Sequence, residues 1–175
     1  GYLAVDGYFA KESFVIPILE NTSLHIISKL RTDANLWYPY QGEHTGKRGR
    51  PKSYTEKVAV KNIDKTLITL CYQDDDTRVY EGIVYSKMLG RNIKIAYLER
   101  WKDGSYSGEH VILFSTDLHL AGSLIYLYYK SRYQIEFLFR DAKQHCGLTH
   151  CQARDEKKLY FHFNASLTTV SLAKA

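Results

Sequence analysis

Five side chains between Tyr126 and Gly147 combine residue types and spacings that could do chemistry. The stretch YLYYKSRYQIEFLFRDAKQHCG has no Pro, and its only Gly stands at the end, so it reads as one helix stopping at Gly147. At about 100° per residue, Tyr129, Arg132, Glu136, Arg140 and Lys143 fall in a stripe roughly 80° wide. Leu124, Leu127, Tyr128, Ile135, Leu138 and Ala142 lie opposite and form the expected core face. One carboxylate among several cations on a rigid element suits a place where a metal ion and a polyanion meet. The competing reading is a solvated helix face with i,i+4 pairs, Arg132–Glu136 and Glu136–Arg140.

Tyr129-x2-Arg132-x3-Glu136-x6-Lys143 resembles the Tyr-Arg-Glu-Lys signature of DDE transposases of the bacterial insertion-sequence family-four type. The resemblance implies an α/β, ribonuclease-H-like catalytic domain that cuts and joins DNA with a pair of divalent ions, Mg²⁺ or Mn²⁺. Glu136 would be the acidic end of the catalytic triad and a metal ligand. Tyr129, Arg132 and Lys143 would hold DNA phosphates near the cut, with Arg140 beside them on the same stripe.

The apolar run Tyr2-Leu3-Ala4-Val5 delivers Asp6, followed by Gly7. Open α/β sheets place their chemistry at the carboxyl ends of such strands. Taken alone, Asp6 reads rather as the start of a turn or a cap on the next helix. AVDGYFAKESF also resembles the second-aspartate region of these transposases, which implies that Asp6 is catalytic and a metal ligand. The first triad aspartate would then lie before Gly1. The chain is therefore expected to be the C-terminal part of a catalytic domain, unable by itself to cleave DNA. Asp33, Asp64, Asp103 and Asp117 do not follow a buried apolar strand in the required order, and Asp117 reads as a helix cap.

The elements that would carry these side chains read as follows. Ala10 to Glu20 is a helix that Pro17 must kink unless it lies in the first turn, and Leu24 to Leu30 is a strand. With the first strand they form a parallel βαβ unit. Strand-like segments follow at Lys57–Lys61, Lys65–Tyr72, Thr77–Ser86, Arg91–Glu99 and Glu109–Ser115, joined by polar turns. This meander lacks the βαβ rhythm and reads as an insertion. The expected division is 1–40 and 117–175 for the ribonuclease-H-like core and 41–116 for a β-rich insertion between the second Asp and the Glu helix. Thr116 or Asp117 is the expected N-cap of that helix. A last helix runs from about Asp155 to Ala173.

The 175 residues carry a net charge of +5 and 45 % hydrophobic residues, enough for one domain with an insertion and compatible with a nucleic-acid partner. The three cysteines, Cys71, Cys146 and Cys151, do not suit a disulfide framework and fit a reducing cytosol. No run of apolar residues is long enough for a membrane span. Lys47-Arg48-Gly49-Arg50-Pro51-Lys52, which overlaps the polar loop GEHTGKRGRP, resembles an AT-hook core suited to phosphates or a narrow minor groove, and otherwise reads as a solvated basic loop. His145-Cys146 and His150-Cys151 depart from common zinc spacings. Asp74 to Asp76 read as a hairpin tip. Trp37, Trp101 and Tyr106 could stack on a base, as an aromatic residue of the insertion does in some relatives, and otherwise read as packing residues.

The resemblance thus implies a bacterial, cytoplasmic, nucleoid-associated transposase acting on double-stranded DNA, at transposon ends and target, with self-association left open. A non-catalytic transposase remnant that binds DNA or a protein partner is the alternative. A related nuclease of the same fold is a third reading, which the four-residue signature disfavours.

Overall fold

The computed structural model describes residues 1–40, 42 and 54–174. The basic loop with Lys47, Arg48 and Arg50 lies outside the described residues. The chain forms two compact units, Gly1–Lys130 and Ser131–Ala175.

Among the described residues, the first unit is built on one eight-stranded mixed sheet. Strand β1 (Tyr2–Ala4) runs parallel to β2 (His25–Lys29), and α1 (Glu12–Asn21) connects them, as the βαβ reading expects. Pro17 sits inside α1, beyond its first turn. The remaining strands are β3 (Leu36–Pro39), β4 (Tyr54–Lys57), β5 (Thr69–Gln73), β6 (Thr77–Ser86), β7 (Arg91–Lys102) and β8 (Ser105–Ser115). The spatial order is β1-β2-β8-β7-β6-β3-β4, with β5 also pairing with β6. The far edge of β6 is shared: Thr69 to Gln73 pair along its first half, Leu36 and Trp37 along its second. Because β8 pairs antiparallel with β2, the β-rich segment continues the sheet begun by the parallel pair.

Helix α1 and helix α2 (Gly122–Ser131) belong to two different apolar layers. Val15, Ile26, Ile93, Ile95 and Phe114 form one buried cluster, against which Phe14, Ile18 and Leu19 pack. Ile27, Val79, Ala96, Leu98, Leu113 and Ile125 form the other, with Tyr126, Tyr128 and Tyr129 against it. Sequence neighbours such as Ile26 and Ile27, or Leu113 and Phe114, divide between the two clusters because successive side chains of a strand point to opposite faces. Strands buried on both faces need apolar residues at consecutive positions, which explains the continuous runs in β2 and β8.

The second unit is a helical pair, α3 (Gln134–His145) and α4 (Glu156–Ala173). Ala142, Leu148 and Val170 are its buried core, with Leu138 and Leu167 against them. Gly147 follows α3 with φ +64°, a conformation that suits glycine, and the chain leaves the helix there as expected. Asp155 caps α4 by accepting a hydrogen bond from the Lys158 amide at 3.1 Å.

Candidate functional site

The single helix expected over Tyr126–Gly147 is two helices. The backbone turns at Arg132 and Tyr133, where Ile135 N–H donates to the Arg132 carbonyl and Glu136 N–H to the Tyr133 carbonyl. These i to i−3 bonds tighten one turn without any Pro or Gly. Tyr129 therefore belongs to α2, whereas Glu136, Arg140 and Lys143 belong to α3. The break also changes the expected core face. Leu127 and Ile135 are exposed, while Ile125 is fully buried in the first unit and Ala142 in the second.

Asp6 follows the C-terminal end of β1, and Val5 N–H still bonds the Ile27 carbonyl there. Its carboxylate is exposed and accepts the Tyr8 amide at 3.0 Å, capping the 3-10 turn Gly7–Phe9. Its carbonyl accepts from the Ser28 hydroxyl at 3.0 Å, tying the loop to β2. Asp6 thus caps a turn and stands at the carboxyl end of a parallel pair.

Asp117 occupies the other end of the sheet. It follows the buried C-terminal end of β8, but β8 runs antiparallel to β2, so Asp117 lies near Tyr2 and His25 rather than near Lys29. Its carboxylate accepts from the Tyr2 hydroxyl at 2.7 Å and the His119 amide at 2.9 Å, and these bonds hold its pKa below the usual carboxylate value. Neither Thr116 nor Asp117 caps α2. Thr116 Oγ1 accepts the Ile26 amide at 2.9 Å, and the α2 cap comes from strand β6 instead. Glu81 Oε2 accepts the Gly122 amide at 2.6 Å, and Glu81 Oε1 accepts from Lys94 Nζ at 2.9 Å. Burial opposes ionisation of Glu81, but the amide and the ammonium prevail and lower its pKa. Burial pushes the neighbouring Cys71 thiol up to about 11, so it stays protonated.

A Cβ on Gly122 would meet Glu81 Cβ at 2.8 Å and Cys71 Sγ at 3.0 Å. Ala normally favours a helix over Gly by about 1 kcal/mol. Here Gly122→Ala is expected to destabilise instead, by about 1–3 kcal/mol, because the added methyl overpacks the cap. The urea midpoint of the variant, below or above that of the parent protein, checks the sign.

In the second unit, Arg132 Nη1 lies 3.9 Å from Glu136 Oε1. Glu136 is 61 % exposed and Arg132 18 %, so the carboxylate stays hydrated while the guanidinium is largely covered. Arg140 donates to Asp141 at 3.2 Å rather than pairing along the stripe, and its guanidinium lies over the Phe137 ring at 4.8 Å. Lys174 and then Arg140 hold Asp141 below the usual carboxylate pKa. Lys143 is exposed.

The other sequence candidates find ordinary partners. The Trp101 face is covered by the Arg78 guanidinium at 3.4 Å, and Trp37 packs on Tyr54 with Lys87 Nζ 4.3 Å from its ring centre. Tyr106 faces Trp101 at 6.5 Å. Asp74 accepts amides from Asp76 and Thr77 and closes the β5–β6 hairpin. The three cysteines are free thiols. Among the described residues, no three His, Cys, Asp or Glu side chains gather as a metal cage, and no helix is long and apolar enough to cross a membrane.

A mixed sheet with a parallel β1/β2 pair, a carboxylate at its C-terminal end and helices on both layers is an α/β architecture of the ribonuclease-H-like kind. The family model for the transposase DDE domain matches residues 1–172, and the chain belongs to that family. Membership brings DNA binding and transposition-related DNA cleavage, with chemistry that generally uses divalent metal ions. A comparison with curated proteins gave no match.

Proposed function

We propose that this chain supplies the second Asp and the Glu of the catalytic triad of an insertion-sequence transposase of the family-four type. Asp6 and Glu136 are the proposed metal-binding carboxylates, and their hard oxygen donors match Mg²⁺ or Mn²⁺. The chemistry supplied by such bound ions is activation of the attacking oxygen and stabilisation of the leaving one. Tyr129, Arg132, Arg140 and Lys143 grip phosphates of double-stranded DNA at the transposon end or the target, and Lys47, Arg48 and Arg50 add phosphate contacts from the loop. Segment 41–116 is the β-rich insertion into the catalytic core. The protein works where its DNA lies, in the bacterial cytoplasm.

The observation that carries the reading is the exposed Asp6 carboxylate at the C-terminal end of a parallel strand, within a chain that belongs to the DDE family. The exposed Lys143, two turns beyond Glu136 on α3, supports the phosphate role.

Each phosphate contact carries a counterion-release contribution that depends on salt and scarcely on sequence. Lys143→Ala is therefore expected to weaken binding about equally across DNA duplexes and to lower the slope of log affinity against log salt by roughly one. Titrations at several salt concentrations check this. A variant matching the parent protein at every salt removes Lys143 from the interface. Retained binding without cleavage in a polypeptide carrying the complete triad would favour the remnant reading.

A further inference from the structure

Three strands of the β-rich segment converge on the N-terminus of α2. Glu81 comes from β6, Lys94 from β7 and Cys71 from β5. Glu81 divides its carboxylate, one oxygen to the Gly122 amide and the other to Lys94, and the two side chains are only 24 % and 13 % exposed. The first amides of a helix have no partner within it, and a carboxylate there also meets the positive end of the helix dipole. The residues close in sequence that could cap are engaged elsewhere, Thr116 with β2 and Asp117 with Tyr2 and His119. The start of α2 is thus set by a side chain 41 positions earlier in the chain.

We propose that Glu81 is a positioning residue for Tyr129, a role that rests on Tyr129 contacting DNA as proposed above. Apolar contacts of Ile125, Tyr126 and Tyr128 hold α2 against the sheet and choose the face it buries, but the attraction itself is non-directional and fixes the axial position less sharply than a hydrogen bond. A slip of one residue moves a side chain by about 1.5 Å and turns it by about 100°. A short, directional hydrogen bond to the first amide of the helix forbids that slip. Gly122 makes the approach possible, because a Cβ would occupy the space held by Glu81 and Cys71. Towards its other end α2 is fixed by Tyr128, whose ring lies 5.4 Å from that of Tyr2. Tyr129 is the next residue, so its placement inherits both anchors. The β-rich segment therefore does more than extend the sheet: it sets the register of a helix in the catalytic core.

The test is a double-mutant cycle read by fluorescence anisotropy on a labelled duplex, with circular dichroism confirming that each variant is folded at the working temperature. Tyr129→Phe is expected to weaken binding about three- to tenfold, the range of one lost hydrogen bond. Glu81→Ala should weaken it by a similar factor in the parent protein, and by nothing further in the Tyr129→Phe background. Glu81→Gln keeps an oxygen for the Gly122 amide but loses the Lys94 ion pair, so it should bind DNA nearly as the parent does while unfolding at lower denaturant. The proposal is overturned if Glu81→Ala binds normally, or if its loss repeats in full beside Tyr129→Phe. A silent Tyr129→Phe overturns it through its premise, and marks the failure as that of the phosphate role of Tyr129.

Discussion

Lys65→Met is expected to lower the unfolding free energy by about 3 kcal/mol, the lower end of what breaking a buried ion pair costs. Glu99 is 2 % exposed in the middle of the sheet, and Lys65 Nζ meets its Oε1 at 2.8 Å. The Trp101 indole N–H is a weaker companion at 3.4 Å. The hydrogen bond to Glu99 raises the Lys65 pKa above its ordinary value. A raised lysine pKa contributes stability at neutral pH that is lost only as alkaline pH passes through the folded-state value. Half of Lys65 remains exposed, so its own desolvation is modest; the cost of the variant lies in the carboxylate left behind. Adding Glu99→Gln removes that charge, and the double variant should recover most of the loss. Urea unfolding of the single and double variants measures both steps. A single variant within about 0.5 kcal/mol of the parent protein, the range of ordinary surface changes, would contradict a buried pair.

The parts of the fold that local pattern encodes were legible, and the parts that depend on distant contacts were not. Strand β6 runs over Thr77–Ser86 as its alternation indicates, and the parallel β1/β2 pair follows from strand, helix and strand in close succession. Strand β3 was missed: Leu36–Pro39 is short and ends in a Pro that cannot donate to a ladder. The turn at Arg132–Tyr133 escaped because no breaker residue marks it. Tyr133 keeps φ −61° and ψ −17°, close to helical values, so its own backbone does not mark the turn, which shows in the i to i−3 hydrogen bonds. A helical wheel drawn through that point loses its phase, which is why Leu127 and Ile135 were expected in a core and stand exposed. The cap on α2 could not be read from neighbours, since its acceptor sits on a strand far away in sequence. The position of Asp6 after β1 was legible because both signals for it are local, an apolar strand before it and a glycine after it.

Glu136→Gln is expected to abolish strand cleavage by the complete transposase, by about 10³-fold or more, equivalent to at least ~4 kcal/mol of barrier, and yet to leave DNA affinity equal or improved. The two effects have separate causes. As a proposed metal ligand, Glu136 contributes a negative charge and an oxygen donor; Gln keeps the shape and an oxygen but loses the charge. Toward phosphate the same charge is unfavourable, so its removal helps binding. It also removes the carboxylate that lies 3.9 Å from the Arg132 guanidinium and competes with phosphate for it. A solvated helix face predicts something different. With Glu136 61 % exposed, the Arg132 pair is worth only a few tenths of a kcal/mol, and neither cleavage nor binding should move. Cleavage of a labelled duplex in Mg²⁺ and in Mn²⁺, set beside anisotropy titrations at matched salt, separates the cases. Lost cleavage with retained affinity supports Glu136 as the triad acid. Parallel loss of both points instead to a helix that no longer presents Arg132 and Lys143. Unchanged cleavage would move the acidic role to another carboxylate of the family domain.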